Sequence, residues 1–311
     1  MTYSSNGKLL LTGEYLVLDG AKALALPTKY QQHLKVTPQD HLIISWKSYD
    51  EHNKLWFQAN LSIDGLEVLE DGMSHPFYDE DVAVRLTEIL KEAQHLNPHF
   101  LSKDSGGFKI ETHQDFNRFW GLGTSSTLIN NIAQWAEINP YELLEKTFGG
   151  SGYDIACAQH DTPLIYERSS SHCPKITPMV FHPDFKEHLY FVYLNTKQNS
   201  RSGIANYRKK QTIQENDIAA INTITLALFK SSSLGSFNLL LDKHEALISK
   251  IIEQPTVKQA LFNDFNGHLK SLGAWGGDFI LATCTSNPTQ YFKEKGYNVI
   301  IPYEDMIKTT S

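Results

Sequence analysis

Gly121-Leu122-Gly123-Thr124-Ser125-Ser126 runs straight into Leu128 to Ile138, an apolar stretch with helical spacing. Two glycines ahead of small hydroxylated residues predict a loop whose backbone a ligand can approach closely. The helix start then aims unpaired N–H groups, and the positive end of the helix dipole, at an anion. Phosphate suits such a turn. The same residues also fit a plain glycine turn in which a serine or threonine caps the helix, and this segment alone does not choose between the two.

Two more glycine-rich segments lie on either side of it: Gly7-Lys8-Leu9-Leu10-Leu11-Thr12-Gly13-Glu14-Tyr15 and Gly273-Ala274-Trp275-Gly276-Gly277-Asp278. Each alone is a loop, and together they point to a phosphate site. The standard nucleotide motifs do not account for it. No Gly-x-x-x-x-Gly-Lys-Ser/Thr occurs, and the protein-kinase His-Arg-Asp and Asp-Phe-Gly are absent. Gly121 to Ser126 also does not continue as a dinucleotide-binding Gly-x-Gly-x-x-Gly after a clear strand. A nucleotide site here belongs to another class.

The 311 residues, 41% of them apolar, allow one large or two medium domains with a substantial core. A formal net charge of −7 argues against a nucleic-acid binder. Cys157, Cys173 and Cys284 are far apart and in no Cys-x-x-Cys pattern, which fits reduced thiols in a cytosolic protein. Of 13 histidines, His95 and His99 have helical spacing, but Pro98 between them breaks the helix that would align them for a metal. With no apolar leader and no stretch near the roughly 20 apolar residues that span a bilayer, the expectation is a soluble, cytoplasmic protein with no membrane partner.

Periodicity predicts strands over Lys22 to Thr28, His33 to Thr37, His41 to Trp46 and Leu55 to Leu61, a helix from Asp81 to about His95, and a strand from Phe108 to Thr112. Helices follow over Ser125 to Glu137, Pro140 to Phe148 and Tyr153 to Gln159, then a strand over Leu164 to Glu167. Ser169 to Lys186, rich in Ser, Pro and His, reads as a domain connection. Beyond it come a strand over Leu189 to Leu194, helical stretches over Gly203 to Lys230, Ser236 to Glu253 and Val257 to Leu269, and strands over Phe279 to Thr283 and Val299 to Pro302. That order suits a ferredoxin-like second domain.

The three glycine segments, in this order, resemble the motifs of the GHMP kinases: a lysine before Gly-Glu-Tyr or Gly-Glu-His, a Gly-Leu-Gly-Ser-Ser that opens a helix, and a Gly-Ala-Gly-x-Gly-Gly loop. A fourth segment, Gly149-Gly150-Ser151-Gly152-Tyr153-Asp154-Ile155-Ala156, is similar to the Gly-Ser-Gly-Phe-Asp-x-Ala of phosphomevalonate kinases. It also carries the Gly-Tyr-Asp-Ile-Ala signature that names the GYDIA subgroup of bacterial GHMP kinases.

The resemblance implies an α+β protein of two domains, residues 1–184 with a ribosomal-protein-S5-like fold and residues 185–311 with a ferredoxin-like fold. It implies ATP and Mg²⁺, with Gly121, Leu122, Gly123, Thr124, Ser125 and Ser126 around the phosphates and Ser125 on the metal. Lys8 and Asp154 match the catalytic lysine and aspartate; without the resemblance they read as a solvated lysine and a helix cap.

A phosphorylated acceptor such as phosphomevalonate needs extra cations. Arg118, Lys197 and Arg201 are the candidates, with Ser151 adding a hydroxyl and Gly276 and Gly277 lining the substrate side. Mevalonate or another small alcohol is the alternative acceptor, and a non-catalytic metabolite- or partner-binding protein is the alternative class. Trp275 departs from the pattern at a glycine position, where an indole blocks the backbone, reshapes the adenine side or packs over the loop. The acidic Mg²⁺ ligand of the family has no clear counterpart; Glu142 and Glu145 are the options.

Overall fold

The computed structural model describes residues 1–169, 173–198, 200–209 and 214–309. Up to residue 159 the chain runs β1 (Thr2–Leu10), β2 (Ala23–Gln39), β3 (Ile43–Tyr49), β4 (Leu55–Ser62), α1 (Glu70–Met73), α2 (Glu80–Leu96), β5 (Gly107–Gln114), α3 (Thr124–Ala136), α4 (Pro140–Thr147) and α5 (Tyr153–Gln159). It continues with β6 (Leu164–Glu167), β7 (Lys175–Pro178), β8 (Leu189–Tyr193), α6 (Ser200–Lys209), α7 (Glu215–Phe229), α8 (Leu234–Ile252) and α9 (Val257–Leu261). The last elements are β9 (His268–Ser271), β10 (Phe279–Thr283), α10 (Thr289–Glu294), β11 (Ile300–Pro302) and α11 (Tyr303–Met306).

These elements form two compact units that interleave along the chain. The first comprises Met1–Gly7, Tyr30–Arg118 and Gly123–Gln159, the second Lys8–Lys29, Phe119–Leu122 and His160–Ser311. β1 and β2 therefore contribute residues to both.

In the first unit β3 pairs antiparallel with β4 and parallel with β5, and β5 pairs antiparallel with β2 from Gln32 to Gln39. The parallel pair needs a crossover, and the chain between β3 and β5 contains α2. The Asp79 carboxylate caps that helix by accepting from the Val82 N–H at 3.1 Å. Leu86, Ile89 and Leu90 of α2 and Ile129, Ile132 and Ala133 of α3 share one core with Leu34, Val36, Trp46, Phe57 and Ile110 of the sheet. Apolar side chains at helical spacing thus meet apolar side chains at alternate strand positions.

In the second unit Ala23–Ala25 of β2 pair with β6, and β6 with β7. A separate antiparallel sheet has the order β11-β8-β10-β9. All five residues of β10 are buried. Ile280 and Ala282 join a core with Phe262, Phe265 and Phe292, while Phe279 stacks edge-on against Trp120.

Most predicted elements are present; β1, α1, α10 and α11 were not predicted, and others differ in extent. Lys22–Thr28 and His33–Thr37 are one strand, because Gln32 between them is buried and hydrogen-bonded rather than turned to water. The helix predicted over Val257 to Leu269 ends at Leu261, and His268–Ser271 is the edge strand beside β10; Asn263, Asp264, Asn266 and Gly267 are the turn residues that stop it. The connection predicted over Ser169 to Lys186 contains β7, with residues 170–172 outside the described residues. The stretch over Gly203 to Lys230 is two helices, with residues 210–213 outside the described residues. His95 and His99 do not share a helix, since α2 ends at Leu96. Among the described residues, no helix is long and apolar enough to cross a membrane, and Cys157, Cys173 and Cys284 are free thiols.

Candidate functional site

Within the second unit, parts of all three glycine segments meet. The main-chain N–H of Lys8 donates to the Leu122 carbonyl at 2.9 Å, and its ammonium donates to the Gly121 carbonyl at 2.8 Å. Lys8 is thus partly buried against the loop, where β1 holds it, rather than fully solvated.

The third segment reaches the same place through Asp278. A Cβ on Gly121, whose φ is 71°, would stand 2.3 to 2.5 Å from the Asp278 carboxyl carbon and both its oxygens. Only a glycine permits that approach. Asp278 is itself only 9% exposed, and its φ of 54° is left-handed. Three hydrogen bonds hold it: its N–H to the Thr196 carbonyl at 2.7 Å, its carbonyl from the Leu194 N–H at 2.8 Å, and its Oδ1 from the Gln198 N–H at 3.0 Å. Burial pushes its carboxyl above the usual range, while Lys8, the Gln198 N–H and Lys197 pull it back.

Gly277 lies against the same turn, since a Cβ there would stand 2.4 Å from the Thr196 carbonyl oxygen. A Cβ on Gly276 would meet the Gln198 amide nitrogen at 2.9 Å. Both glycines are therefore fixed beside the turn that carries Lys197. The Lys197 side chain is exposed, with its ammonium 5.8 Å from the centre of the Phe119 ring. Arg201 is exposed in the first turn of α6. Sequence reasoning missed Asp278 as a site residue; the signal was an acid directly after two glycines.

Trp275 resolves in favour of packing. Its φ is not in the left-handed region, so a side chain is tolerated there. The indole is buried with Leu16, Leu18, Ile221, Ile248 and Ile252. It turns into the interior of the second unit, which removes its weight as an argument against catalysis.

The first unit holds the rest of the predicted site. Gly123 begins α3 with a φ of 94°, and no side chain caps the helix there. The Ser/Thr-capped alternative is therefore not what forms. The Ser126 hydroxyl turns back to the Gly123 carbonyl at 2.9 Å, and the Thr124 hydroxyl accepts from the Gln114 amide at 3.2 Å. The Ser125 side chain is exposed on the first turn. The open N–H groups and the dipole of a 13-residue helix suit an anion at this end.

A buried polar network sets the direction of α3, and no sequence pattern announces it. The Thr127 hydroxyl donates to Gln32 Oε1 at 2.6 Å, and the Asn131 amide donates to the Gln32 carbonyl at 3.0 Å. Ser5 donates to Asn131 Oδ1 at 2.7 Å and accepts from the Asn130 amide at 2.8 Å. Gln159, at the end of α5, donates to Asn130 Oδ1 at 3.0 Å. The helix that begins the loop and the helix that carries Asp154 are thereby tied together.

Gly149, Gly150 and Gly152 all have positive φ and shape the turn into α5. Ser151 lies in that turn, partly buried. Asp154 occupies the second position of α5, inside the first turn rather than at the cap, and its Oδ1 accepts from the Ile155 N–H at 3.1 Å. The Arg118 guanidinium stacks 4.5 Å from the centre of the Trp56 ring. Lys8, Gly121, Leu122, Lys197, Arg201, Gly276 and Gly277 thus belong to the second unit. Arg118, Gly123, Thr124, Ser125, Ser126, Ser151 and Asp154 belong to the first.

A second feature missed in the sequence lies within the Gly-Glu-Tyr segment. The Glu14 side chain is fully buried in ion-pair contact with Lys270 Nζ, which also lies 3.4 Å from Glu245 Oε2. Glu245 accepts from the Ser271 N–H and hydroxyl. One ammonium then serves two carboxylates, and burial pushes Glu14 up to about 7 despite Lys270. His244, also buried, accepts from the Gly13 N–H at 3.0 Å and is held neutral by burial and by Lys270.

These residues fit nucleotide phosphates. In the second unit a lysine ammonium is fixed on the glycine loop, and in the first unit α3 starts without a side-chain cap; each of these suits a phosphate. Among the described residues, no group of three His, Cys, Asp or Glu side chains stands ready for a metal. A magnesium ion here would rest on phosphates and on few protein oxygens, the manner in which Mg²⁺ binds at nucleotide sites, with the exposed Ser125 hydroxyl available to it.

No protein-family model and no curated protein sequence matches the chain. Solved structures do. Mevalonate kinase from Methanococcus jannaschii superposes with a TM-score of 0.68 at 16% identity, covering 100% of this chain and 98% of that one. Phosphomevalonate kinase from Streptococcus pneumoniae, solved with phosphomevalonate and AMPPNP, gives 0.67 at 14% identity and 95% of each chain. A D-glycero-D-manno-heptose 1-phosphate kinase from Bacteroides thetaiotaomicron gives 0.65 at 15% identity, covering 98% and 95%. At these identities the likeness is one of fold, and over its whole length the chain has the two-domain α+β fold of the GHMP small-molecule kinases.

Proposed function

We propose that this chain is an ATP- and Mg²⁺-dependent small-molecule kinase that transfers the γ-phosphoryl group to phosphomevalonate, in the mevalonate route to isoprenoids. The observation that carries the kinase reading is the convergence of Lys8, Gly121 and Asp278 on one loop. In this reading Gly121 to Ser126 cradle the phosphates, and Lys8 stabilises the charge that develops on the transferring group. The Ser125 hydroxyl would help to hold magnesium with the nucleotide, and the metal would supply positive charge against the phosphates.

The fourth segment and the cations favour the acceptor. The bond that forms joins an acceptor oxygen to the γ-phosphorus, the bond to the β-phosphate oxygen breaks, and ADP leaves. An alcohol acceptor gives its proton to Asp154. A phosphate acceptor is largely ionised near pH 7, so with phosphomevalonate Asp154 orients rather than deprotonates. Arg118, Lys197 and Arg201, with Ser151, hold the acceptor phosphate, and Gly276 and Gly277 shape the wall beside Lys197. The acceptor is a small metabolite, and the protein works in the cytoplasm.

A second reading keeps the kinase and changes the acceptor to mevalonate or another small alcohol. It is favoured by the mevalonate kinase likeness, with a TM-score of 0.68 against 0.67 for the phosphomevalonate kinase. A coupled ADP-release assay with ATP and Mg²⁺ on phosphomevalonate, mevalonate, galactose and homoserine decides. Turnover with phosphomevalonate alone is expected. Turnover with another acceptor overturns the substrate, and silence with all four, with ATP still bound, overturns phosphomevalonate and points to an acceptor outside these four or to a non-catalytic binding protein.

A further inference from the structure

Asp278 places a negative charge inside a loop otherwise built for anions. Its carboxylate lies against the Cα of Gly121, whose carbonyl is held by the Lys8 ammonium. It cannot readily swing away, because its N–H, carbonyl and Oδ1 are all bonded to the strand end and turn from Leu194 to Gln198. Lys8 and Lys197 are the cations that act on it. For a bare polyphosphate this arrangement is self-defeating, since a fixed carboxylate repels what Lys8 attracts. With a divalent cation beside the phosphates, the same carboxylate becomes favourable.

We propose that Asp278 couples nucleotide binding to the divalent cation, so that the loop discriminates against metal-free nucleotide. This rests on the kinase reading above. Asp278 acts through charge on the phosphates and their metal; no proton or group transfer passes through it.

The test compares wild type with Asp278→Asn, which keeps an oxygen to accept from the Gln198 N–H and removes the charge. Direct binding of ATP is measured by calorimetry, once in millimolar Mg²⁺ and once in excess EDTA. The expected result is that metal-free affinity rises about tenfold in the variant while affinity with Mg²⁺ changes by threefold or less. Adenosine, which carries no phosphate, should bind both proteins alike with or without Mg²⁺. The same Mg²⁺-to-EDTA ratio for ATP in both proteins overturns the proposal and leaves the kinase reading standing. Failure of folded wild type to bind ATP in either condition overturns both. Thermal melting checks that the variant is folded; if it is not, Asp278→Ser, which also removes the charge, takes its place with the same expected ratios.

Discussion

Lys8 is bound to the glycine loop twice, its N–H to the Leu122 carbonyl at 2.9 Å and its ammonium to the Gly121 carbonyl at 2.8 Å. The position of the ammonium is therefore set by the loop it serves. Any movement of the loop carries the charge with it.

Replacing Lys8 by Met should lower kcat about 10²- to 10³-fold, the usual cost of losing one preorganised charge at a transferring group. Lys8→Arg should recover little, since a planar fork does not reproduce a point charge. Steady-state kinetics check this, and near-wild-type turnover for Lys8→Met would take the residue out of the chemistry.

Asp154→Asn should reduce turnover by a factor of about 100 or more and leave nucleotide affinity nearly unchanged. The loss should be larger with an alcohol acceptor, which must give up a proton, than with a phosphate acceptor. Steady-state kinetics check this, and unchanged turnover would take Asp154 out of the mechanism.

Charge reversal at Lys197 or Arg201 should raise KM for phosphomevalonate tenfold or more and leave kcat within a few-fold. Parallel assays on mevalonate supply the contrast. A large loss on mevalonate as well would show that these cations do more than hold the acceptor phosphate.

Glu14 predicts a pH dependence of stability. Its folded pKa is raised to about 7 from 4.5, so between these values the folded protein holds a proton that the unfolded chain has lost. Stability from this group falls as pH rises through that window and is level above it. His244 acts the other way, since the unfolded chain gains a proton there below about 6.5 and the folded protein does not. Lys270 and Glu245 act on Glu14, Lys270 also acts on His244, and Glu14 and His244 lie 3.4 Å apart. Denaturant unfolding of wild type and Glu14→Gln at pH 5 and pH 8 isolates the glutamate: the variant should lose less stability, or gain more, on going to pH 8. Identical pH responses would mean that Glu14 is ionised throughout.

Gly277→Ala should cost about 1 to 3 kcal/mol, because the new Cβ would meet a main-chain oxygen, that of Thr196, at 2.4 Å. Gly273→Ala meets nothing within 4 Å and should cost only the strain of its positive φ, about 1 kcal/mol. Chemical denaturation of both variants checks the order.

The repeating patterns were legible in the sequence: α2, α3, α4, α5 and β10 lie where apolar spacing puts them, within a residue or two. Gly121 was legible as a loop residue, whereas Lys8, read as part of a loop, lies in β1, and their contact is between positions far apart in the chain. What stayed hidden depends on polar groups whose partners are remote. Gln32 reads as a break in a strand until Thr127 and Asn131 are seen to satisfy it. Glu14 and Lys270 stand 256 positions apart, and no local pattern announces that the fold buries them together. Asp278 reads as the residue after a glycine turn until Gly121 arrives beside it.

The interleaving of the two units has a consequence for how the protein is made. Residues 8–29 leave the ribosome before all of 30–118 and 123–159, yet the bulk of their own unit begins at residue 160. At ordinary elongation rates that delay is on the order of ten seconds. Throughout it Leu16 and Leu18, buried in the finished protein with Ile221, Ile248, Ile252 and Trp275, sit on the nascent chain with those core neighbours not yet synthesised. Early translation is thus the stage at which this protein most needs a chaperone, and slowing synthesis before residue 160 should lower its soluble yield more than slowing it afterwards.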